Sequence, residues 1–561
     1  MHKNLGGTGV VADYDTCYAQ SAVAPSGICA NYFGPTAPKV IGGYDFVGEG
    51  WPNTGRTEDP NPIALKGTGT HGTHVADIIA GKSANGTHKG MAPGAKLIAV
   101  KVCSAVSSSC NGVALLSGVD FALDPNGDHD LSDAADVINL SLGSDYGQIE
   151  DDLTQALTNA VNLGVVVVAS AGNGADRPYK LGSPSIAPGV LSVAQTEVPS
   201  ATVIPLVINS PAAIAGTYVN TATLDWAPIG SGAVGDVKTA TQAGGTNNLA
   251  CDALPAGSLA GKIALVDRGT CSISVKVDNA ANAGAKGVLI ALIAAGDAVS
   301  FSFGGGSNFV PSMVIQQSLG NAIKANLSAP VNVSLSPTAS IALVGGMAGT
   351  SSRGPGMSTQ GIKPEIGAPG ASVSAEVGTG IGQIAFGGTS GAAPMVAGAA
   401  ALMVQAHPAR SALQIKAMLM NGAETNVYTS KAIYPGQLAP ISRIGAGELR
   451  VNRSVVPGRC GLGHGRSVGI FGLRRTGGRP ADDLAAHADR PELHRDGQAV
   501  QYHAELPLAD DGRPTRSAYR RRQRRVAPNS SANIVVSLLI NPTKLPSWTL
   551  NGGSKGGNGQ C

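Results

Sequence analysis

Between Leu97 and Leu163 the chain alternates short, wholly apolar runs with stretches of helical periodicity, and few folds accept that alternation. Parallel strands need a crossover connection, which a helix supplies, so the pattern leads to a sheet wrapped by helices. LIAVKV (97–102), DVINLS (136–141) and VVVVAS (165–170) read as its buried strands. Ile149, Leu153, Ala156, Leu157 and Ala160 recur on one face of an intervening helix that Gly164 can close. The expected class is α/β, with a doubly wound, mostly parallel sheet.

A chain of 561 residues exceeds one ordinary domain. From about 199 to 343 the character changes to Ala, Thr and Val-rich segments with turn residues, in which KIALVD (262–267) and GVLIALI (287–293) read as strands. This is read as an inserted β-rich domain dividing the α/β part into 1–198 and 344–458. The strongest helix of the chain follows Ser390 and is apolar nearly all round through Met395, Val396, Ala399, Leu402 and Met403. Such a helix must be buried centrally, and His407–Pro408 should stop it.

The statistics break near Gly458, after which residues 459–525 contain 14 Arg and no Lys. Periodicity vanishes there as well, and the segment is read as out-of-frame translation. A basic linker, or a nucleic-acid arm at RRRQRR (520–525), is the weaker reading. Periodicity returns with SANIVVSLLI (531–540), a strand within a terminal segment, 526–561.

A net charge of +3 gives no argument for a nucleic-acid or membrane partner, and no run of about 18 apolar residues occurs. Six of the eight cysteines lie in close pairs, Cys17 with Cys29, Cys103 with Cys110 and Cys251 with Cys271. Short disulfide loops need such spacing, although free buried thiols satisfy it too; disulfides would mean an oxidising compartment. Cys460 and Cys561 are left over. The opening MHKNLGGTG has no export signal, which places the natural start upstream.

Three segments carry chemistry. GGTSGAAP (387–394) delivers Ser390 to a helix start, where free backbone N–H groups and the positive helix end can stabilise an oxyanion. Capping the helix is the structural alternative for this serine. GTHGTHVADIIAG (69–81) sets His71 at the entrance of another helix, and an imidazole is the natural base for a serine hydroxyl. His74 reads as a packed, hydrogen-bonded residue, since zinc helices need histidines at i and i+4 with further ligands. SAGNG (170–174) leaves Asn173 at the carboxyl end of a strand, where open α/β sheets build sites and an amide can donate to an oxyanion.

Together these segments resemble the subtilisin-like serine proteases, or subtilases. So do GMAPGAKLIAVKV (90–102), NLSLG (139–143), TSSRGP (350–355) and KPEIGAPG (363–370). The resemblance implies a serine endopeptidase working through an acyl-enzyme, with His71 as general base, Ser390 as nucleophile and Asn173 as oxyanion donor. Ser141, Leu142 and Gly143 would carry the edge that pairs with an extended protein or peptide substrate. It also implies secretion and no organic cofactor. GKIALVDRGTCSISVKVDNAANAGAKGVLI (261–290) looks like the protease-associated domain, and NPTKLPSW (541–548) resembles a fibronectin-like domain.

The family also requires an Asp on an early strand, ahead of the His. Val10, Val11 and Ala12 are the first strand-like residues here, and Asp15 follows them. Because HKNLGG (2–7) resembles the stretch after the family's Asp, and Cys17 replaces the expected glycine, the Asp and its strand are placed upstream of Met1. A non-catalytic peptide-binding pseudoprotease is therefore the alternative function. DPNGDHDLSD (124–133) spaces carboxylates in a manner suited to structural calcium, but lacks the Gly and the final carboxylate of an EF-hand loop; no metal residue is assigned.

Overall fold

A computed structural model describes residues 2–66, 70–241, 248–358 and 361–455. Beyond them it describes only the strands Leu473–Arg474, Asp483–Ala488, Gln498–His503, Arg520–Arg525 and Ile534–Leu539. The rest of the Arg-rich and terminal segments, with Cys460 and Cys561, lies outside the described residues. Two units emerge, one from Met1–Val198, Gly345–Thr429 and Leu438–Cys561, the other from Pro199–Val344 and Ser430–Gln437. Residues 430–437 thus group with the second unit, although chain order assigns them to the first.

The first unit contains strands Val40–Asp45 (β1), Leu97–Lys101 (β2), Val137–Leu140 (β3), Val166–Ser170 (β4), Leu191–Thr196 (β5) and Ile366–Pro369 (β6). β6-β5-β4-β3 form one sheet and β1-β2 another, and every pairing is parallel. Strands Ser372–Ala375 (β7) and Gln383–Phe386 (β8) make an antiparallel hairpin. Its helices of eight or more residues are Val11–Tyr18 (α1), Thr70–Ala80 (α2), Gly112–Leu123 (α3), Asp152–Asn162 (α4), Thr389–Ala406 (α5) and Ala412–Asn421 (α6).

β4 is buried at every position, with Val166, Val167 and Val168 at most 3% exposed. A parallel strand covered on both faces calls for such a continuous β-branched run. α5 packs on β3, β4, β5 and β6 and against α2, so Ala392, Val396, Ala399 and Met403 join Val168 and Leu191 in one core. Small residues permit that central position. A Cβ on Gly398 would meet Met91 Cβ at 2.6 Å, so only glycine allows the local approach.

Three local expectations change. Val10–Ala12 do not form a strand: Val10 precedes α1 and Val11 and Ala12 are its first residues, because Tyr14 and Cys17, three residues apart, give that segment a helical buried face. The Cys17–Cys29 disulfide pins it. Ile149 precedes α4 instead of lining it, since Asp151 accepts from Thr154 N–H at 2.8 Å and starts the helix there. β1, VIGGYD, was not legible as a strand because its paired glycines interrupt the apolar pattern. The pairs Cys103–Cys110 and Cys251–Cys271 are also disulfides.

The second unit is built on an eight-stranded mixed sheet. Its strands Ile263–Asp267 and Gly287–Ala291 alternate strictly. Ala264, Val266, Val288 and Ile290 pack with the helix Ile273–Asn282, while Ile263, Leu265, Leu289 and Ala291 pack with the helix Gln317–Ala325. Period-two side-chain direction thus supplies one sheet with two cores. Among the described residues no helix is long and apolar enough to cross a membrane.

Beneath the first sheet, Glu365 sits 2.8 Å from Lys363 Nζ and 2.7 Å from Lys416 Nζ, and accepts from Ser192 N–H at 2.8 Å. Burial opposes ionisation of Glu365, but the two ammonium groups outweigh it and hold its carboxyl below the usual range. Burial likewise lowers Lys363 to about 8. Glu365→Gln keeps the shape and leaves two cations without their anion. Its unfolding free energy should fall by about 3–5 kcal/mol in chemical denaturation, whereas a change under about 1 kcal/mol would mean that the lysines find other partners.

Candidate active site

The site grows from the first turn of α5. Gly388, at φ +90°, turns the chain from β8 into the helix in a conformation L side chains rarely adopt. Five residues into α5, Pro394 has no N–H and so leaves the Ser390 carbonyl, four residues back, without its helical donor. Ser141 Oγ fills that role at 3.0 Å, and Ser390 Oγ donates in return to the Ser141 carbonyl at 3.3 Å. A proline inside the helix and a serine just beyond β3 therefore lock the half-buried Ser390 to the strand edge.

Asn173 follows β4 and is held by the residue before the serine. Thr389 N–H donates to Asn173 Oδ1 at 2.9 Å and the Thr389 hydroxyl at 3.0 Å. A backbone N–H can only donate, so the amide orientation is fixed and Nδ2 is left for the adjoining cavity. That cavity, about 220 Å³, has Asn173, Leu142, Gly143 and Ser390 in its walls. Thr389, fully buried, also accepts from Gly172 N–H at 3.2 Å. Thr389 was missed as a site residue; its position beside the serine in GGTSGAAP was the available signal.

His71 is the second residue of α2, with its ring edge-on to Phe386 at 5.2 Å between centroids. It makes no hydrogen bond to Ser390, whose hydroxyl is turned to Ser141. Withdrawal from water, and secondarily His74, lower its pKa below the ordinary histidine value, which favours the neutral imidazole a base requires. His74 is 2% exposed, hydrogen-bonds Thr70 Oγ1 at 3.1 Å and Ser374 Oγ at 2.7 Å, and stacks on Phe386. It is a packed structural residue.

Ser141, Leu142 and Gly143 lie just past the end of β3, and Ser141 is engaged by Ser390 on both its hydroxyl and its carbonyl. Asp15 is exposed on α1 and pairs with Lys66, so its carboxylate is committed away from the imidazole. Three carboxylates of 124–133, those of Asp124, Asp128 and Asp130, bond within their own loop. Asp124 accepts from the N–H groups of Gly127, Asp128 and His129, and Asp128 from that of Asp130. Among the described residues no group of three His, Cys, Asp or Glu side chains is placed to hold a metal ion.

Residues 49–447 match the model of the Subtilase family. The chain is 33% identical over 454 residues to the minor extracellular protease Vpr of Bacillus subtilis (strain 168), covering 77% of this chain and 51% of that protein. It is 29% identical to the subtilisin-like protease SBT3.17 of Arabidopsis thaliana, over 63% of this chain and 45% of that one. It is also 33% identical to the major intracellular serine protease of Bacillus subtilis (strain 168), over 28% and 46% respectively. The chain spans about half the length of the curated relatives it matches.

Thr389→Val keeps the volume at this position but removes the hydroxyl joining Gly172 to Asn173. Chemical denaturation should show a loss of about 1–3 kcal/mol, with Thr389→Ser retaining most of the stability. Equal losses in the two variants would assign the effect to packing instead of the hydroxyl.

Proposed function

The chain belongs to the subtilase family, and on that premise we propose that it is a serine endopeptidase acting on peptide bonds of proteins through an acyl-enzyme on Ser390. The observation that carries the reading is the convergence of Ser390, Asn173 and the 142–143 edge on one cavity at the start of a buried helix. In the proposed first step His71 takes the hydroxyl proton as Ser390 Oγ attacks the scissile carbonyl. Charge on the carbonyl oxygen is met by Asn173 Nδ2 and the Ser390 N–H at the positive end of α5. As the C–N bond breaks, His71 returns the proton to the leaving amine. Water then attacks the acyl-enzyme with the same imidazole as base, releasing the acid and restoring Ser390.

In this reading Ser141, Leu142 and Gly143 align an extended substrate along the end of β3. The second unit is a protease-associated domain and the terminal segment a fibronectin-like one, as the sequence resemblance implies. Secretion fits the three disulfides and the extracellular relative.

One observation favours a second reading, a peptide-binding protein with little turnover. Among the described residues no carboxylate partners His71, and His74 is its sole charged influence. In well-studied triads loss of the orienting Asp costs on the order of 10⁴-fold in kcat.

A fluorophosphonate probe separates the readings, because labelling forms an Oγ–P bond, expels fluoride and passes the hydroxyl proton to His71. Slow labelling that Ser390→Ala abolishes is expected. A chain that stays blank over many hours, while its Ser390→Ala variant matches it, would leave only the binding reading. Asn173→Ala should slow labelling roughly 100 to 1,000-fold. Because the His71 pKa is lowered, the neutral base persists to lower pH, and the acid limb of the labelling rate should fall below about 6.5, the ordinary imidazole value. A limb at or above that value would mean that a carboxylate faces His71.

A further inference from the structure

In the second unit the helix Ile273–Asn282 sends Ile273, Val277 and Ala280 into an apolar core, and Lys276 on the same helix is also 0% exposed. A buried ammonium usually faces a carboxylate. This one donates through Nζ to the Leu249 carbonyl at 2.6 Å and to Cys251 Sγ at 3.4 Å, and Cys251 is bonded to Cys271. Asp267, at the end of the strand Ile263–Asp267, acts on Lys276 from a distance but is paired with Lys324. Burial outweighs that carboxylate and lowers the Lys276 pKa below the ordinary lysine value. A disulfide sulfur thus touches a buried cation that no carboxylate neutralises among the described residues.

The two sulfurs are not equivalent. Cys251 is held where it is by the segment before it, since the Asn248 carbonyl accepts from Asp267 N–H at 2.9 Å, that of Leu249 from Lys276, and that of Ala250 from Asn279 Nδ2 at 3.0 Å. The Thr270 hydroxyl also lies 3.7 Å from Cys251 Sγ. Among the described residues no side chain hydrogen-bonds Cys271 Sγ, which precedes the helix cap Ser272. A helix start offers about half a charge, and its effect fades beyond the first turn. An ammonium in contact offers a whole charge where water is excluded, so Cys251 is the better thiolate of the two. Asp252, next in the chain, is exposed, and solvent screens its carboxylate.

We propose that the Cys251–Cys271 disulfide is a thiol-exchange site, at which a small thiol becomes attached to Cys271 while Cys251 leaves as a thiolate against the Lys276 ammonium. The incoming thiol first gives its proton to water, and its sulfur then forms a bond to Cys271 Sγ. The Sγ–Sγ bond breaks and its electron pair passes to Cys251. One disulfide replaces another, so no outside oxidant or reductant enters. Exchange is faster when the departing sulfur is the more stable thiolate, and the departing thiolate supplies the anion that Lys276 lacks while the bond is closed. Both cysteines are partly exposed and open to a small thiol, whereas Cys17 and Cys29 are 2% exposed. None of this rests on the proposed protease function.

The test incubates the full chain with glutathione at neutral pH, stops the exchange with N-ethylmaleimide and maps both adducts by peptide mass spectrometry. Glutathione is expected on Cys271 and maleimide on Cys251. Cys103–Cys110 is the internal reference, being a partly exposed disulfide with no lysine against its sulfurs among the described residues. Cys251–Cys271 should open at least roughly tenfold faster than this reference. Lys276→Met keeps a long unbranched side chain and removes the charge, so the preference for Cys271 should disappear and the rate should fall toward that of the reference.

Glutathione on Cys251, or shared equally between the two cysteines, overturns the proposal. Opening no faster than at Cys103–Cys110, or no adduct on either residue, overturns it as well. A preference that survives in Lys276→Met overturns the part assigned to the ammonium. Should that variant loosen the unit, the adduct positions and the rate ratio in the unaltered chain still decide.

Discussion

The reciprocal bond between Ser390 and Ser141 is the junction on which the site depends. It exists because Pro394 withholds an N–H from the Ser390 carbonyl, so the first turn of α5 must find a donor outside itself. Ser141 supplies it from the end of β3, and that ties Ser390 to the sheet as well as to its own helix. Thr389 performs the corresponding service on the other side, anchoring Asn173 through both its N–H and its hydroxyl. Asn173 and Ser390 are thus both held at one helix start, Asn173 by Thr389 and Ser390 by Ser141.

Central burial of α5 is what makes such a junction rigid. The helix is apolar on nearly every face and contacts four strands and α2, so it has little freedom to tilt or slide. Small residues let it approach closely, as the space around Gly398 shows. The Glu365, Lys363 and Lys416 cluster contributes differently. It joins the start of β6 to the Ser192 amide of β5 through charge-assisted bonds in a dry environment, where any unpaired member would be costly.

His71 is less tightly engaged than Ser390 and Asn173. Ser390, Asn173 and the 142–143 edge share one cavity, but His71 reaches that end of the molecule through Phe386 and makes no hydrogen bond to the serine. The open edges of β2 and β3 lie next to it. His71 and the edges of β2 and β3 line one cavity, and among the described residues no carboxylate partners the imidazole.

Much of this was legible in the sequence. The runs at 97–102, 136–141 and 165–170, and the helix after Ser390, announce themselves because burial on both faces of a sheet demands continuous apolar residues and a central helix demands an apolar circumference. The chemistry-bearing residues stand out because a glycine pair, a serine and a histidine at helix starts, with an Asn at a strand end, match one family pattern together, although capping explains the serine alone equally well. What the letters could not reveal depends on which groups meet across hundreds of residues. Val10–Ala12 became a helix because Tyr14 and Cys17 found a buried face, VIGGYD became a strand because β2 lay beside it, and Asp15 was drawn to Lys66. Thr389 acquired its role only when β4 brought Asn173 within 2.9 Å. Local pattern therefore determined the elements and the reactive residue types, while pairing partners, side-chain orientation and the cavity between two strand edges were decided by tertiary packing, because hydrogen bonds act only between groups the fold has already placed together.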